Sequence, residues 1–173
     1  MHQSKADAGF TLIEVLVASV LILVGVVALE GAMALGVRQL TASQDQYIAG
    51  QRAAEAIESV FKARDNQTLT WAQICNVSAG GVFIDGPSPI RDPGPDGIVD
   101  TADDGAVELM VTPGPDGLLG TADDVKTPLY NFTRQILITN IGPNLRSLVV
   151  IVVYPSANGP ITYTVTTYIS AYA

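Results

Sequence analysis

A continuous apolar run near the start of the chain limits the possible folds more than any other feature. Between residues 10 and 37 the only charged side chains are Glu14 and Glu30, and the run contains no proline, asparagine or glutamine. About 20 apolar residues are enough for a helix to cross the hydrocarbon core of a bilayer. The run also lacks the polar face that a surface helix needs. The sequence therefore predicts a helix whose transmembrane part covers about residues 10–37.

The segment before this run distinguishes it from an ordinary secretory signal. Residues 1–9 are mostly polar and end in Gly9. In a secretory signal the apolar part precedes the cleavage site and is removed, whereas a cut after Gly9 would leave the apolar helix attached to the protein. Glu14 lies inside the run, and an ionisable group inside a membrane is costly, so Glu14 is a candidate functional residue.

The sequence Gly-Phe-Thr-Leu-Ile-Glu, from Gly9 to Glu14, resembles the N-terminus of type IV prepilins and of the related secretion-system pseudopilins. The resemblance implies that residues 1–9 are a leader peptide, that prepilin peptidase cuts between Gly9 and Phe10, and that Phe10 is then N-methylated. It also implies that Glu14 faces the terminal amine of a neighbouring subunit in a filament. A plain signal anchor is the alternative interpretation of the same segment.

The resemblance further implies the partners and the location of the protein. The expected partners are other pilin subunits, the prepilin peptidase and the pilus assembly platform of the inner membrane. The chain would lie in the bacterial inner membrane before assembly and in a cell-surface or periplasmic filament afterwards.

The kind of assembly stays open at this stage, because a type IV pilus and a type II secretion pseudopilus have similar subunits. Cys75 is the only cysteine, so the disulfide of many pilins is missing, and Gly31 stands where many major pilins carry a helix-breaking proline. Both features favour a minor subunit. The alternative is a membrane-anchored, calcium-dependent adhesion or binding module that does not polymerise.

Composition argues against an enzyme. The only histidine, His2, lies in the leader, so the processed chain has no imidazole. Ser-His and Cys-His nucleophilic sites then cannot be built, and zinc sites made from histidine and cysteine are excluded as well. Cys75 is expected to be a small buried apolar residue.

The charge of the chain argues against nucleic-acid binding. The formal net charge is −8, and it is unchanged by cleavage because Lys5 and Asp7 leave together. Non-specific binding to nucleic acids depends on neutralising phosphates with basic side chains. We therefore expect no nucleic-acid partner.

The predicted fold is α+β, with a long N-terminal helix packed on a C-terminal antiparallel sheet. The helix is expected over residues 10–64 and a globular head over residues 65–173. Beyond residue 36 the helix becomes amphipathic, with a predicted buried stripe at helical spacing. The members of that stripe are Val37, Leu40, Tyr47, Ala54, Ile57 and Phe61.

The head is predicted to begin with a loop-rich part and to end in strands. Residues 65–128 contain only short apolar pieces, whereas residues 129–173 contain three strand-like runs separated by turn sequences. The last run alternates between apolar and threonine-rich positions, which is typical of a half-buried strand. The sheet is expected to cover the outer half of the helix.

An acidic repeat lies inside the loop-rich part. Asp-Pro-Gly-Pro-Asp-Gly-Ile-Val-Asp-Thr-Ala-Asp-Asp, residues 92–104, is followed by Thr-Pro-Gly-Pro-Asp-Gly-Leu-Leu-Gly-Thr-Ala-Asp-Asp, residues 112–124. Nine of the 17 acidic residues of the chain lie between Asp92 and Asp124, and no lysine or arginine lies there. A hard divalent cation would relieve their mutual repulsion, and calcium takes about six to eight oxygen ligands.

The first copy resembles the calcium loops of EF-hand-type and thrombospondin-type repeats. Counted from Asp92, the ligand positions fall on Asp92, Asp96, the carbonyl of Ile98, Asp100 and Asp103, with Asp104 as an additional candidate. Gly94 departs from the pattern, since a ligand is usual at its position. Some pseudopilins carry a calcium site in their C-terminal loops.

The second copy has fewer ligands of its own. It keeps Asp116, the carbonyl of Leu118, Asp123 and Asp124, but Gly120 replaces the aspartate of the first copy. We expect one or two calcium ions, which would stabilise the loops in place of a disulfide. The alternative is that Gly-Pro-Asp-Gly simply makes tight turns with solvated aspartates.

Overall fold

The structure is a computed structural model that describes residues 10–172, with the side chains of residues 41–43 excepted. Helix α1 (Leu12–Asp65) contributes to two compact units, which divide between Thr41 and Ala42. The second unit contains six strands and one short 3-10 helix at Val77–Ala79. The strands are β1 (Ser88–Pro89), β2 (Leu109–Thr112), β3 (Val125–Pro128), β4 (Thr133–Gly142), β5 (Leu145–Tyr154) and β6 (Ile161–Ser170).

The first unit is the apolar part of α1. The backbone N–H of Glu14 donates to the carbonyl of Thr11 and to its side-chain oxygen, at 3.1 and 3.4 Å, so Thr11 caps the first turn. The large apolar side chains from Phe10 to Leu40 are exposed in this structure. By length and composition, α1 is able to cross a membrane.

The second unit combines the outer part of α1 with antiparallel sheet, so the predicted α+β fold is confirmed. Four strands form one sheet in the order β1-β4-β5-β6, and β2 pairs with β3 in a separate hairpin. Strand β5 lies in the middle of the sheet, where Val150 pairs with Ile136 on one side and Val165 on the other. Its side chains alternate between buried and half-buried, as its Val/Ile sequence favours.

The core lies between α1 and the sheet, but the predicted stripe on α1 was wrong. Tyr47 and Leu40 are exposed, and Ile57 and Phe61 are only partly buried. The helix positions that face the core are Ile48, Ala49, Ala53, Ala56, Val60 and Ala63. Four of these six positions are alanine, so the face that α1 presents to the core is made mostly of short side chains.

The middle of the chain holds more regular structure than its composition indicates. Residues 65–128 include β1, which pairs with β4, and the β2–β3 hairpin. The acidic repeat thus divides into a loop between β1 and β2 and a loop at the tip of the hairpin. Cys75 is buried and unbridged, as expected for a small apolar residue.

Candidate functional site

The described part of the predicted processing site lies at the start of α1. Gly9 falls outside the described residues, and Phe10 and Thr11 precede the first helical residue, Leu12. Glu14 lies in the first turn and is exposed. A cut before Phe10 would place the new amino group within about one helical turn of this carboxylate along the chain.

The two copies of the acidic repeat have the same local conformation. Asp96 Oδ1 accepts a hydrogen bond from the N–H of Ile98, and Asp116 Oδ1 accepts one from the N–H of Leu118, both at 2.8 Å. The glycine between the two partners has a positive φ in each copy, 73° and 71°. An aspartate side chain that bonds the backbone two residues on is a common turn device. The shared sequence therefore specifies the loop locally.

The last acidic pair of each copy closes the loop. Thr101 Oγ1 donates to Asp103 Oδ1 at 2.7 Å, and Thr121 Oγ1 donates to Asp123 Oδ1 at the same distance. Asp104 Oδ2 accepts from the N–H of Asp100 at 2.8 Å. In the second copy, Asp124 Oδ2 accepts from the N–H of Gly120 at 2.7 Å.

The glycines that depart from the calcium-loop pattern have a steric role. A Cβ on Gly94 would lie 2.3 Å from Asp103 Oδ2, and a Cβ on Gly114 would lie 2.3 Å from Asp123 Oδ2. Any residue with a Cβ at Gly94 or Gly114 would therefore clash with the aspartate carboxylate that packs against the glycine. The structure thus accounts for the missing ligand at Gly94, because the carboxylate of Asp103 occupies that space.

Asp100 is the main difference between the copies. It adopts a positive φ of 61°, at the position where the second copy has Gly120 with φ of 88°. Its Oδ1 accepts a hydrogen bond from Ser88 Oγ at 3.0 Å and lies 3.4 Å from Nε of Arg134. The carboxylate is thus directed into the protein interior, and burial raises its pKa in spite of Arg134.

A partly buried charge network connects this loop to α1 and to the residue that precedes β2. Arg134 is fully buried on β4, and its Nη1 also lies 3.6 Å from Oε2 of Glu55 on α1. Arg52, one helical turn before Glu55, forms ion pairs with Glu55 and with Glu108. Burial raises the pKa of Glu108, and Arg52 opposes that rise.

Sequence reasoning missed this network, although one signal for it was present. On β4, Arg134 lies on the same face of the strand as Ile136 and Ile138, which are buried core residues. A charged residue on the inward face of a strand requires a buried partner. The identity of the partner, Asp100, depends on a contact between distant parts of the chain.

The predicted calcium ligands are only partly brought together. Asp103 and Asp104 meet at the hydroxyl of Thr101, while Asp96 caps its own turn. The backbone of Asp92 pairs with Gly105 and Ala106. Within residues 10–172, no three His, Cys, Asp or Glu side chains are grouped in a way that could hold a metal ion.

The second copy contains one buried acceptor that lacks a hydrogen-bond partner. Asp124 Oδ1 is inaccessible to solvent and accepts no hydrogen bond within the described structure. A buried carboxylate oxygen without a partner is costly. The carbonyl of Leu118, which accepts a hydrogen bond from Thr121 Oγ1 at 3.2 Å, lies in the same loop.

Comparison with known proteins bears on the N-terminal segment. Residues 4–29 match the family model for the prokaryotic N-terminal methylation motif, and this match includes Gly9, Phe10 and Glu14. No curated protein and no solved structure matches the chain. The motif fits anchoring in the inner membrane before assembly, and it supports a type IV pilin-like protein that is processed at its N-terminus in the manner of a prepilin.

Proposed function

We propose that the chain is a minor structural subunit of a type IV pilus or of a type II secretion pseudopilus. Prepilin peptidase would cleave it after Gly9, and the subunit would enter a filament through the apolar part of α1. The observation that carries the proposal is the methylation motif over residues 4–29, which overlaps the start of a helix able to cross a membrane. The outer part of the same helix contributes one side of the core of the folded head.

The role proposed for Glu14 follows from the chemistry of the segment. A carboxylate in an apolar environment is costly, and an ion pair with an ammonium group offsets part of that cost. The terminal amine that cleavage creates on Phe10 of a neighbouring subunit is a suitable partner. Only one axial stagger of two subunits would bring the two groups together, so the pair would set the register of assembly.

Glu14→Ala tests this role, with Glu30→Ala as the matched control. Both glutamates lie in the apolar part of α1 and are exposed. We expect Glu14→Ala to lower the amount of subunit in sheared filaments, while Glu30→Ala leaves it near the wild-type amount. Equal incorporation of both variants would contradict the register role. Recovery of the wild-type chain from membranes alone would favour an anchored, calcium-dependent adhesion module instead.

The proposed role of the acidic repeat is to bind calcium and so stabilise the head. Three observations support it: the common conformation of the two loops, the aspartates folded over Gly94 and Gly114, and the unpartnered Oδ1 of Asp124. The candidate ligands in the first loop are Asp103 and Asp104, with Asp92 and Asp96 within the same repeat. Those in the second loop are Asp123, Asp124, Asp116 and the carbonyl of Leu118.

A further inference from the structure

Strand β6 lies at one edge of the four-stranded sheet, and within residues 10–172 only one of its two sides is paired. All ten of its residues pair with β5 in one unbroken register. The opposite edge of the sheet is different, because β4 pairs there with β1. The side-chain amide of Asn76 also bonds the carbonyl of Ile136 and the N–H of Ile138. The β4 edge is therefore covered by the chain itself, whereas the β6 edge is open.

The alternation of hydrogen bonds along β6 identifies the backbone groups at the open edge. The N–H of Ala171 bonds the carbonyl of Asn144, which precedes β5, at 2.9 Å. Successive residues of an antiparallel strand direct their backbone groups to opposite sides, so the even-numbered residues of β6 face away from β5. On that side the carbonyl of Ser170 accepts a hydrogen bond from Arg64 Nη1 at 3.1 Å. The outward N–H and C=O groups that have no partner among the described residues are those of Thr162, Thr164, Thr166 and Tyr168.

The open edge has none of the features that protect exposed strands from other chains. Native proteins usually block such an edge with charged side chains, proline or a β-bulge. The sequence of β6, Ile-Thr-Tyr-Thr-Val-Thr-Thr-Tyr-Ile-Ser, contains no charged residue and no proline. Its register with β5 contains no shift. An edge of this length and composition is able to pair with a further strand, which is a recurring mode of peptide recognition.

The open edge follows one flank of α1. Arg64 reaches Ser170 at the end of β6, and a Cβ on Gly50 would lie 3.7 Å from the hydroxyl oxygen of Tyr163 near its start. The helix rises by about 21 Å between Gly50 and Arg64, and the strand rises by about 23 Å between Tyr163 and Ser170. Strand β6 therefore runs beside the helix over this length and in the same direction.

A half-buried apolar strip lies on this flank of the helix. Ile57 and Phe61 share the flank with Gly50, because positions 50, 57 and 61 follow helical spacing. These two side chains, with Tyr163 and Val165 of β6, pack against the core and stay partly exposed. Beside Gly50 and Tyr163 there is a groove of about 510 Å³ whose lining residues are uncharged. Side chains of an added strand that point towards α1 would cover this strip.

We infer that the outer edge of β6 binds an extended segment of a partner protein as a fifth strand of the sheet. The backbone of that segment pairs with the even-numbered residues of β6, because a strand presents donors and acceptors at the same spacing as the open edge. Its side chains alternate, and those directed at α1 are apolar and cover Ile57 and Phe61. The main-chain hydrogen bonds supply affinity, and the strip supplies specificity for apolar residues at alternate positions.

The partner is a different chain and not a second copy of this one. Within the described residues, β2 and β3 of the hairpin have four residues each and are too short for this edge. A second β6 is long enough, but its α1-facing side chains already pack on its own helix, where Ile169 is fully buried. They are therefore not available to cover Ile57 and Phe61. The inference does not depend on the proposed filament, because an anchored chain would offer the same edge.

Binding of a labelled peptide to the full-length chain in detergent tests the inference. The probe is a fluorescein-labelled peptide with the sequence of residues 161–170, which is uncharged, is rich in strand-forming residues and has free side chains on both faces. We expect its fluorescence anisotropy to rise with the wild-type chain. The same peptide with an N-methyl group on every amide lacks the backbone donors, and we expect it not to bind.

Thr166→Pro tests the edge itself, with Thr166→Ala as the matched control. Thr166 is exposed, and its N–H points away from β5, so proline removes a donor of the open edge without removing a hydrogen bond to β5. We expect Thr166→Pro to bind the peptide about tenfold more weakly, and Thr166→Ala to bind it like the wild-type chain. If Thr166→Pro lowers the urea midpoint, the comparison of the two peptides on the wild-type chain decides.

Three results would overturn the inference. The first is a wild-type chain that binds neither peptide or binds both equally. The second is equal binding of the unmodified peptide by Thr166→Pro and Thr166→Ala when both are folded. The third is a dimer of the wild-type chain that forms without peptide and is lost in Thr166→Pro, since this would assign the edge to a second copy. Absence of filaments would bear on the proposed function alone.

Discussion

Nε of Arg134 lies 3.4 Å from Oδ1 of Asp100, and both side chains are buried. This ion pair joins the central sheet to the first acidic loop, so it holds that loop against the head. The second loop has Gly120 at the position of Asp100 and therefore has no equivalent anchor. This difference explains why Ile98 and Val99 of the first loop are buried, whereas Leu118 and Leu119 of the second loop are exposed.

Arg134→Ala is expected to destabilise the head strongly. It leaves Asp100 buried without its cation, and removing one partner of a buried pair costs about 3–5 kcal/mol. Urea unfolding of the full-length chain in detergent, followed by the fluorescence of Trp71, measures the change. Lys62→Ala is the control, because Lys62 pairs with Glu58 on the surface, and it should leave the midpoint unchanged. Equal midpoints for the two variants would contradict the role of the buried pair.

Gly94→Ala and Gly114→Ala are expected to disturb their loops. The new Cβ would lie 2.3 Å from an aspartate oxygen in each case, and overpacking of this kind costs about 1–3 kcal/mol. Gly105→Ala is the control, since its Cβ would be 3.6 Å from the nearest atoms. Limited proteolysis should show faster cleavage within residues 92–104 or 112–124 in the first two variants only. A loop that is cut at the wild-type rate would show that the close approach is not required.

Removal of calcium is expected to lower the melting temperature of the head and to expose residues 90–126 to protease. A ligand present at 100 times its Kd stabilises the folded state by about 2.7 kcal/mol, and a chelator removes this. Asp123→Asn/Asp124→Asn should abolish binding in the second loop and Asp103→Asn/Asp104→Asn in the first. Native mass spectrometry then counts the ions in each variant. The same native mass with and without chelator would rule out the metal.

The stability of the head is expected to depend on pH through the ionisation of Glu108. Burial raises the pKa of its carboxyl in the folded state above the ordinary value of 4.5, so folding favours the protonated form. Its contribution to stability is therefore complete below pH 4.5 and is lost as the pH rises through the folded pKa. In chelator, the wild-type chain should gain stability relative to Glu108→Gln as the pH falls from neutral. A difference that stays constant over this range would contradict the raised pKa.

The long regular elements were predictable from the sequence because their patterns are strong and local. An apolar run of membrane length specifies α1, and Val/Ile-rich or alternating runs specify β5 and β6. The buried face of α1 was not predictable in the same way. Tyr47 looks like a better core residue than Ala53, yet Ala53 is buried and Tyr47 is exposed, because burial depends on which face of the helix meets the sheet and not on the apolar character of each residue.

The candidate site was predictable in its local part alone. The repeated Asp-Gly spacing indicated two similar loops, and their hydrogen bonds are indeed alike. It did not indicate that Ile98 would be buried and Leu118 exposed, because both positions are equally apolar in sequence. That difference depends on the long-range contact between Asp100 and Arg134, which no local pattern contains.

The intact mass of the chain recovered from sheared filaments tests the central claim most directly. We expect a polypeptide that begins at Phe10 and carries one additional methyl group on its amino terminus. A chain that retains residues 1–9 and is found only in membranes would contradict processing and filament entry together.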